Sequence, residues 1–176
     1  MSDNKTEDRS EYYKWADEWE EDFVLKYGAQ FNIIINPAKA KAKTAPDLYM
    51  LKKHTSADLK SLQKPFYKSQ QKWGIPAQHS WQINWSDLFE YSLKHPDQFG
   101  IFIWKRFKDS EKYGVKVYAE EAVYYTSLFL LKSIVARSGK LHKYIRRRND
   151  TNGNSIDSFI VDLRRLKNIT HIYDHD

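Results

Sequence analysis

Asp47 and the tripeptide Asp58-Leu59-Lys60 are the residues of this 176-residue chain whose types and spacing best suit chemistry. Asp47 follows Pro46 at the start of a predicted strand, about 47–51, and ten residues separate it from Asp58 on the next predicted strand, 57–62. Side chains on a strand alternate between faces, so Asp58 and Lys60 point the same way with Leu59 turned behind them. A turn at Lys52-Lys53-His54 can bring Asp47 beside Asp58. Two carboxylates held close repel each other unless a cation lies between them. Hard oxygen ligands from one or two residues, completed by water, are what Mg²⁺ prefers. Lys60 beside such an ion could orient or deprotonate a water, or steady charge developing on a phosphate.

The elements that must position these residues follow from periodicity. Residues 1–10 read as a polar, mobile tail, and 11–176 as a single domain. Tyr12, Ala16, Trp19 and Phe23 fall three and four apart, one face of a helix reaching about Tyr27, with Gly28 just past its end. Phe31 to Ile35 is a short β-branched strand. Asn36-Pro37 closes it, and 38–43 follows as a flexible basic loop. The two motif strands come next, then an ambiguous stretch, 65–74. Residues 80–85 alternate, with Trp81, Ile83 and Trp85 on one side. Ser86-Asp87 is a predicted N-cap for a helix ended by His95-Pro96. Residues 100–104 and 115–118 are predicted strands. Residues 120–137 are predicted as one long apolar helix, core or interface, capped by Gly139. A turn at 149–154 precedes an extended segment, 156–163. The order of helix, three strands, helix, two strands and helix is α/β.

Pro46-Asp47 followed by Asp58-Leu59-Lys60, on consecutive strands after a helix, resembles the PD-(D/E)XK nuclease superfamily. The resemblance covers roughly residues 11–118. It implies a restriction-endonuclease-like or resolvase-like core, a central mixed β-sheet flanked by helices in αβββαβ order. It also implies a metal-dependent deoxyribonuclease, of endonuclease type, using Mg²⁺ with Mn²⁺ as the alternative. Asp47 and Asp58 would hold the metal, and Lys60 would position or activate the attacking water. The family often adds a glutamate from the first helix, for which Glu18, Glu20 and Glu21 are candidates. At about 100° per residue, Glu21 lies opposite the apolar stripe and Glu20 borders it, so Glu20 completes the metal and catalytic set. Relatives place further polar residues beyond the third strand; here Lys64, Gln70, Gln71 and Gln82 are candidates, and no spacing singles one out.

Composition bounds the rest. Lys and Arg number 29 against 23 Asp and Glu, a net charge of +6, and a pI near 9.3 permits a polyanionic partner. The DNA contacts would come from Lys39, Lys41 and Lys43, in the loop before the motif strand, and from Arg146, Arg147 and Arg148. Contacts of this kind position a backbone rather than read its sequence. The absence of cysteine removes disulfides, thiolate zinc, iron–sulfur clusters and a cysteine nucleophile. No Gly-rich phosphate loop or GxSxG elbow points to an NTPase or a serine hydrolase. The tryptophans fit packing faces better than base-stacking platforms. No segment has the 18 apolar residues of a membrane span, and the polar N-terminus is unlike a secretory signal. The expectation is therefore a soluble, cytoplasmic protein without a membrane partner, and a homodimer if two sites are to cut two strands. Two other readings stand beside it: a nucleic-acid-binding protein on the same scaffold that does no chemistry, and a nuclease directed at RNA.

Overall fold

The computed structural model describes residues 9–143 and 157–170. The chain is mixed α/β and divides into two compact units, Met1–Leu59 and Lys60–Asp176. The predicted tail and the turn at 149–154 lie wholly or mostly outside the described residues, as do Arg146, Arg147 and Arg148.

The first unit opens with helix α1, Arg9–Phe31. Its buried face carries Trp19, Phe23 and Tyr27, the spacing of three and four that an amphipathic helix requires. The helix runs one turn beyond the predicted stop, and Gly28 lies inside it. A Cβ at Gly28 would come 3.0 Å from the Ile33 carbonyl oxygen and 3.1 Å from Val24 Cγ1, so the glycine serves close packing rather than termination. The helix ends instead at Asn32, whose φ of 55° turns the chain into β1, Ile33–Ile35. A 3₁₀ turn, Pro37–Ala40, occupies much of the predicted flexible loop. Strands β2, Leu48–Met50, and β3, Thr55–Leu62, then pair antiparallel, with Leu48 opposite Ala57 and Met50 opposite Thr55. β1 pairs antiparallel with β2, Ile33 opposite Met50. Ile33, Leu48, Met50, Ala57 and Leu59 are buried, so the inward residues of the strands and α1 share the unit's core.

Strand β3 crosses the division, and Lys60–Leu62 are its contribution to the second unit. Helix α2, Lys68–Trp73, follows, ended by Gly74 at φ 67°, a left-handed conformation that glycine adopts without a Cβ penalty. β4, Ser80–Asn84, leads into α3, Trp85–Lys94. Trp81 and Ile83 are buried as the alternation predicts, but Trp85 starts the helix and is about half exposed. β5, Gly100–Phe107, β6, Ser110–Lys112, and β7, Val115–Val117, come next. The long helix predicted over 120–137 is half strand: β8, Glu120–Ser127, pairs along its whole length with β5, and α4, Leu128–Ser138, begins after it. Ser127 makes the break, its side-chain oxygen accepting from the Leu130 N–H as an N-cap. β9, Lys140–His142, β10, Ser158–Asp162, and β11, Lys167–Asn168, complete the described chain. β10 lies between β4 and β9, both antiparallel to it, and β11 pairs with β8. Ile101, Ile103, Leu128, Leu131, Val161 and Leu163 form the centre of this unit's core. Among the described residues, no helix is long and apolar enough to cross a membrane.

Candidate active site

The local fold of the first unit gathers charge around Asp47. Asn36 starts the assembly. Its side-chain Oδ1 accepts from the Ala38 N–H at 3.1 Å, capping the 3₁₀ turn, and its Nδ2 donates to Ser56 Oγ at 3.5 Å. Its backbone N–H donates to the Asp47 carbonyl at 2.9 Å. Pro37, with φ preset for a helical turn, makes the turn tight enough to hold Lys39 in place. Asn36 is buried, 5% exposed, so these bonds are shielded from competing water.

Lys39 then reaches into the carboxylates rather than outward. Its Nζ donates to Glu20 Oε2, lies 3.1 Å from Asp47 Oδ1, and stands 4.0 Å from Asp17 Oδ1. Glu20 is itself buried, 7% exposed, whereas Glu18 and Glu21 are exposed. Glu20 therefore lies against Lys39, while Glu21, placed opposite the apolar stripe by helical phase, and Glu18 are exposed to water.

Asp47 is held from both oxygens. Oδ1 accepts from Lys39, and Oδ2 accepts from the Leu59 N–H at 3.0 Å. That amide belongs to the middle residue of Asp58-Leu59-Lys60, which ties the two halves of the motif together through the backbone. The neighbouring Asp58 carboxyl favours a proton on Asp47, through hydrogen bonding and through charge. Burial first, then the effect of Asp58 and the charge of Glu20, pushes the Asp47 carboxyl up to about 9, against the Leu59 amide, which acts to lower it. Burial pulls Lys39 down, but its bonds and charge interactions with Glu20 and Asp47 outweigh this and hold it above its ordinary value.

Lys60 belongs to the second unit and lies two residues beyond Asp58 on β3. Its Nζ donates to Asp87 Oδ2 at 3.3 Å and lies 5.4 Å from the centre of the Tyr91 ring, both on α3. Asp87, expected as part of a helix cap, is thus a lysine partner; Asn84 takes the cap position. Lys41 and Lys43 are exposed on the loop. Gln70, Gln71 and Lys64 are exposed, and Gln82 is partly buried on β4.

The donor set suits a hard cation: Glu20, Asp47 and Asp58 offer only carboxylate oxygens, and an ammonium already lies against two of them. Among the described residues, no three His, Asp or Glu side chains converge closely enough to hold one metal ion together. Asp47 and Asp58, whose carboxyls interact, are the pair that could hold a cation with water completing its shell. Sequence reasoning assigned Lys39 to a phosphate, and missed that its ammonium sits among the carboxylates. The Asn36-Pro37 pair, a helical-turn start signal, was the available clue.

No family model, curated protein or solved structure matches the chain.

Proposed function

We propose that this protein is a metal-dependent nuclease of PD-(D/E)XK type that hydrolyses phosphodiester bonds in DNA. The observation that carries the reading is the interaction between the carboxyls of Asp47 and Asp58, with the Leu59 amide donating to Asp47 and Lys60 next along the same strand. A pair of interacting carboxyls, both partly withdrawn from water and one of them favouring its proton, is a costly arrangement. It is economical where a divalent cation takes the proton's place.

Asp47 and Asp58 would hold Mg²⁺ or Mn²⁺, with Glu20 on α1 assisting through its bond to Lys39 rather than as a third ligand. When bound, the ion supplies Lewis acidity at a phosphate oxygen and lowers the pKa of a coordinated water. The protein's own residues do the rest. The Leu59 N–H fixes the Asp47 carboxyl, so that its geometry does not depend on the ligand. Lys60, the lysine of the motif, is bonded to Asp87 and lies against the Tyr91 ring. Its role in the proposed reaction would be to position a water or offset charge on a nonbridging oxygen. The sequence of helix α1, strands β1 to β3 and helix α2 fits a restriction-endonuclease-like core. A homodimer would let two sites cut two strands, and sedimentation velocity tests that arrangement.

Side-by-side digestion of plasmid DNA and structured RNA, with Mg²⁺, with Mn²⁺ and with chelator, tests the proposal. Divalent-dependent loss of DNA alone supports it. Loss of RNA alone makes the protein a ribonuclease. Binding of DNA with no cleavage under either metal supports a non-catalytic binding protein instead.

A further inference from the structure

The second unit contains a basic cleft that the proposed chemistry does not use. Its volume is about 580 Å³, and its walls are the segment Gln63–Tyr67, the end of β5 at Arg106, and the β6–β7 hairpin with the residues leading into it. Lys64, Arg106, Lys108 and Lys112 line it, against one carboxylate, Glu111.

Several features make this more than a solvated charged surface. Lys64, Lys108 and Lys112 all face one concavity, and among the described residues none of the three has an ion pair. Four cationic side chains against the single acid Glu111 leave the cleft net positive. The Arg106 guanidinium lies 4.8 Å from the centre of the Trp104 ring, which holds its planar fork in a set orientation. The hairpin that carries Lys112 closes through Tyr113 at φ 53° and Gly114 at φ 73°, both left-handed as a tight two-residue turn requires. Lys112 thus sits immediately before the turn, at the Val115 register position of the hairpin.

The volume falls within the usual range for bound organic ligands, roughly 300–1,000 Å³, and is too large for one inorganic anion. Pro65 and Tyr67 add apolar surface to the cationic wall, where a sugar or base can rest beside its phosphate. An acidic peptide would use the charge and leave that surface idle. Lys64 follows Lys60 by four residues, so the strand that carries Lys60 leads into the cleft.

We propose that this cleft holds the phosphodiester backbone of a nucleic-acid strand, with Lys64, Lys108 and Lys112 as phosphate contacts. The proposal rests on the nuclease reading for its choice of ligand, but its test does not require cleavage. Binding of a fluorescein-labelled 20-mer DNA duplex is measured by anisotropy in chelator, from 50 to 300 mM salt. The comparison is between the parent, a cleft variant carrying Lys64→Gln, Lys108→Gln and Lys112→Gln, and a control carrying Lys52→Gln, Lys53→Gln and Lys140→Gln, three exposed lysines outside the cleft. Each phosphate contact contributes about 0.9 to the slope of log affinity against log salt. The cleft variant should therefore lose about 2 to 3 from that slope, with the control close to the parent. Thermal melts of all three proteins establish that they are folded. Equal slope losses in both variants, or no loss in the cleft variant, would overturn the proposal. So would a parent that binds no DNA, or that polyglutamate displaces as effectively as unlabelled DNA. Absence of cleavage with Mg²⁺ would overturn the nuclease reading and leave a positive slope result standing.

Discussion

The ammonium of Lys39 lies 3.1 Å from Asp47 Oδ1 and is hydrogen-bonded at the same time to Glu20. It bridges the first helix and the motif aspartate. With one ammonium beside them and a proton favoured on Asp47, the three carboxyls Glu20, Asp47 and Asp58 keep a residual negative charge in a setting partly shielded from water. A divalent cation entering there would replace the proton and compete with Lys39 for the oxygens.

Removing that competitor should strengthen metal binding. Charges about 4 Å apart near a protein surface interact by about 1 to 4 kcal/mol depending on solvent access, so Lys39→Met should tighten Mn²⁺ or Mg²⁺ binding by about tenfold. The metal-free variant should melt below the parent because Glu20 and Asp47 lose their partner. Titration calorimetry and thermal melts, each with and without metal, measure both effects. An unchanged or weaker metal affinity would show that Lys39 does not occupy the cation's place.

Stability should depend on pH through Asp47. Its folded pKa of about 9 stands above the ordinary 3.8, so between those values the folded chain keeps a proton that the unfolded chain has lost. The sign follows: stability falls as pH rises through that window, by at most about 1.4 kcal/mol per pH unit for one group. Lys39 stays charged throughout it. Urea unfolding at pH 5, 7 and 9 in chelator should show a steeper decline for the parent than for Asp47→Asn, which has no proton to lose. Saturating Mg²⁺ should reduce the parent's decline.

Asn36 should matter beyond its size. Its side chain and backbone reach the 3₁₀ turn, β3 and Asp47. Asn36→Ala should cost about 1 to 3 kcal/mol, the range for a lost cap and a buried unpaired group. By freeing the turn that carries Lys39, it should also change metal affinity. Asn36→Asp, which keeps the capping oxygen, should recover part of the stability. Denaturant midpoints give the first quantity and calorimetry the second.

Much of the site's scaffold was legible because its elements are amphipathic. In α1, Trp19, Phe23 and Tyr27 mark a face, and that phase separates Glu20 from Glu21. In β3, Ala57 and Leu59 turn inward and leave Asp58 and Lys60 on the other side. Elsewhere this logic failed for physical reasons. β8 is buried on both faces from Ala122 to Tyr124, so it shows no period of two, and Ala122, Tyr125 and Leu128 mimic helical spacing by accident. Gly28 looked like a stop because spacing cannot distinguish a glycine needed for close approach from one needed for a left-handed turn. Lys39 escaped because its role depends on a 3₁₀ turn, which sets it apart from its exposed neighbours Lys41 and Lys43. The pairing of Lys60 with Asp87 spans 27 positions, beyond the reach of any local pattern.

The central claim is that the Asp47–Asp58 pair and Lys60 make a phosphodiesterase. Its most direct test is Mg²⁺-dependent nicking and linearisation of supercoiled plasmid by the parent, Asp58→Asn and Lys60→Met. Thermal melts show that the variants are folded, and anisotropy shows that they still bind DNA. The account predicts cleavage by the parent and a loss of at least about 100-fold in each variant, the scale of a removed catalytic group, with DNA binding retained. Cleavage at the parent's rate by both folded variants, or no metal-dependent cleavage by the parent, would contradict it.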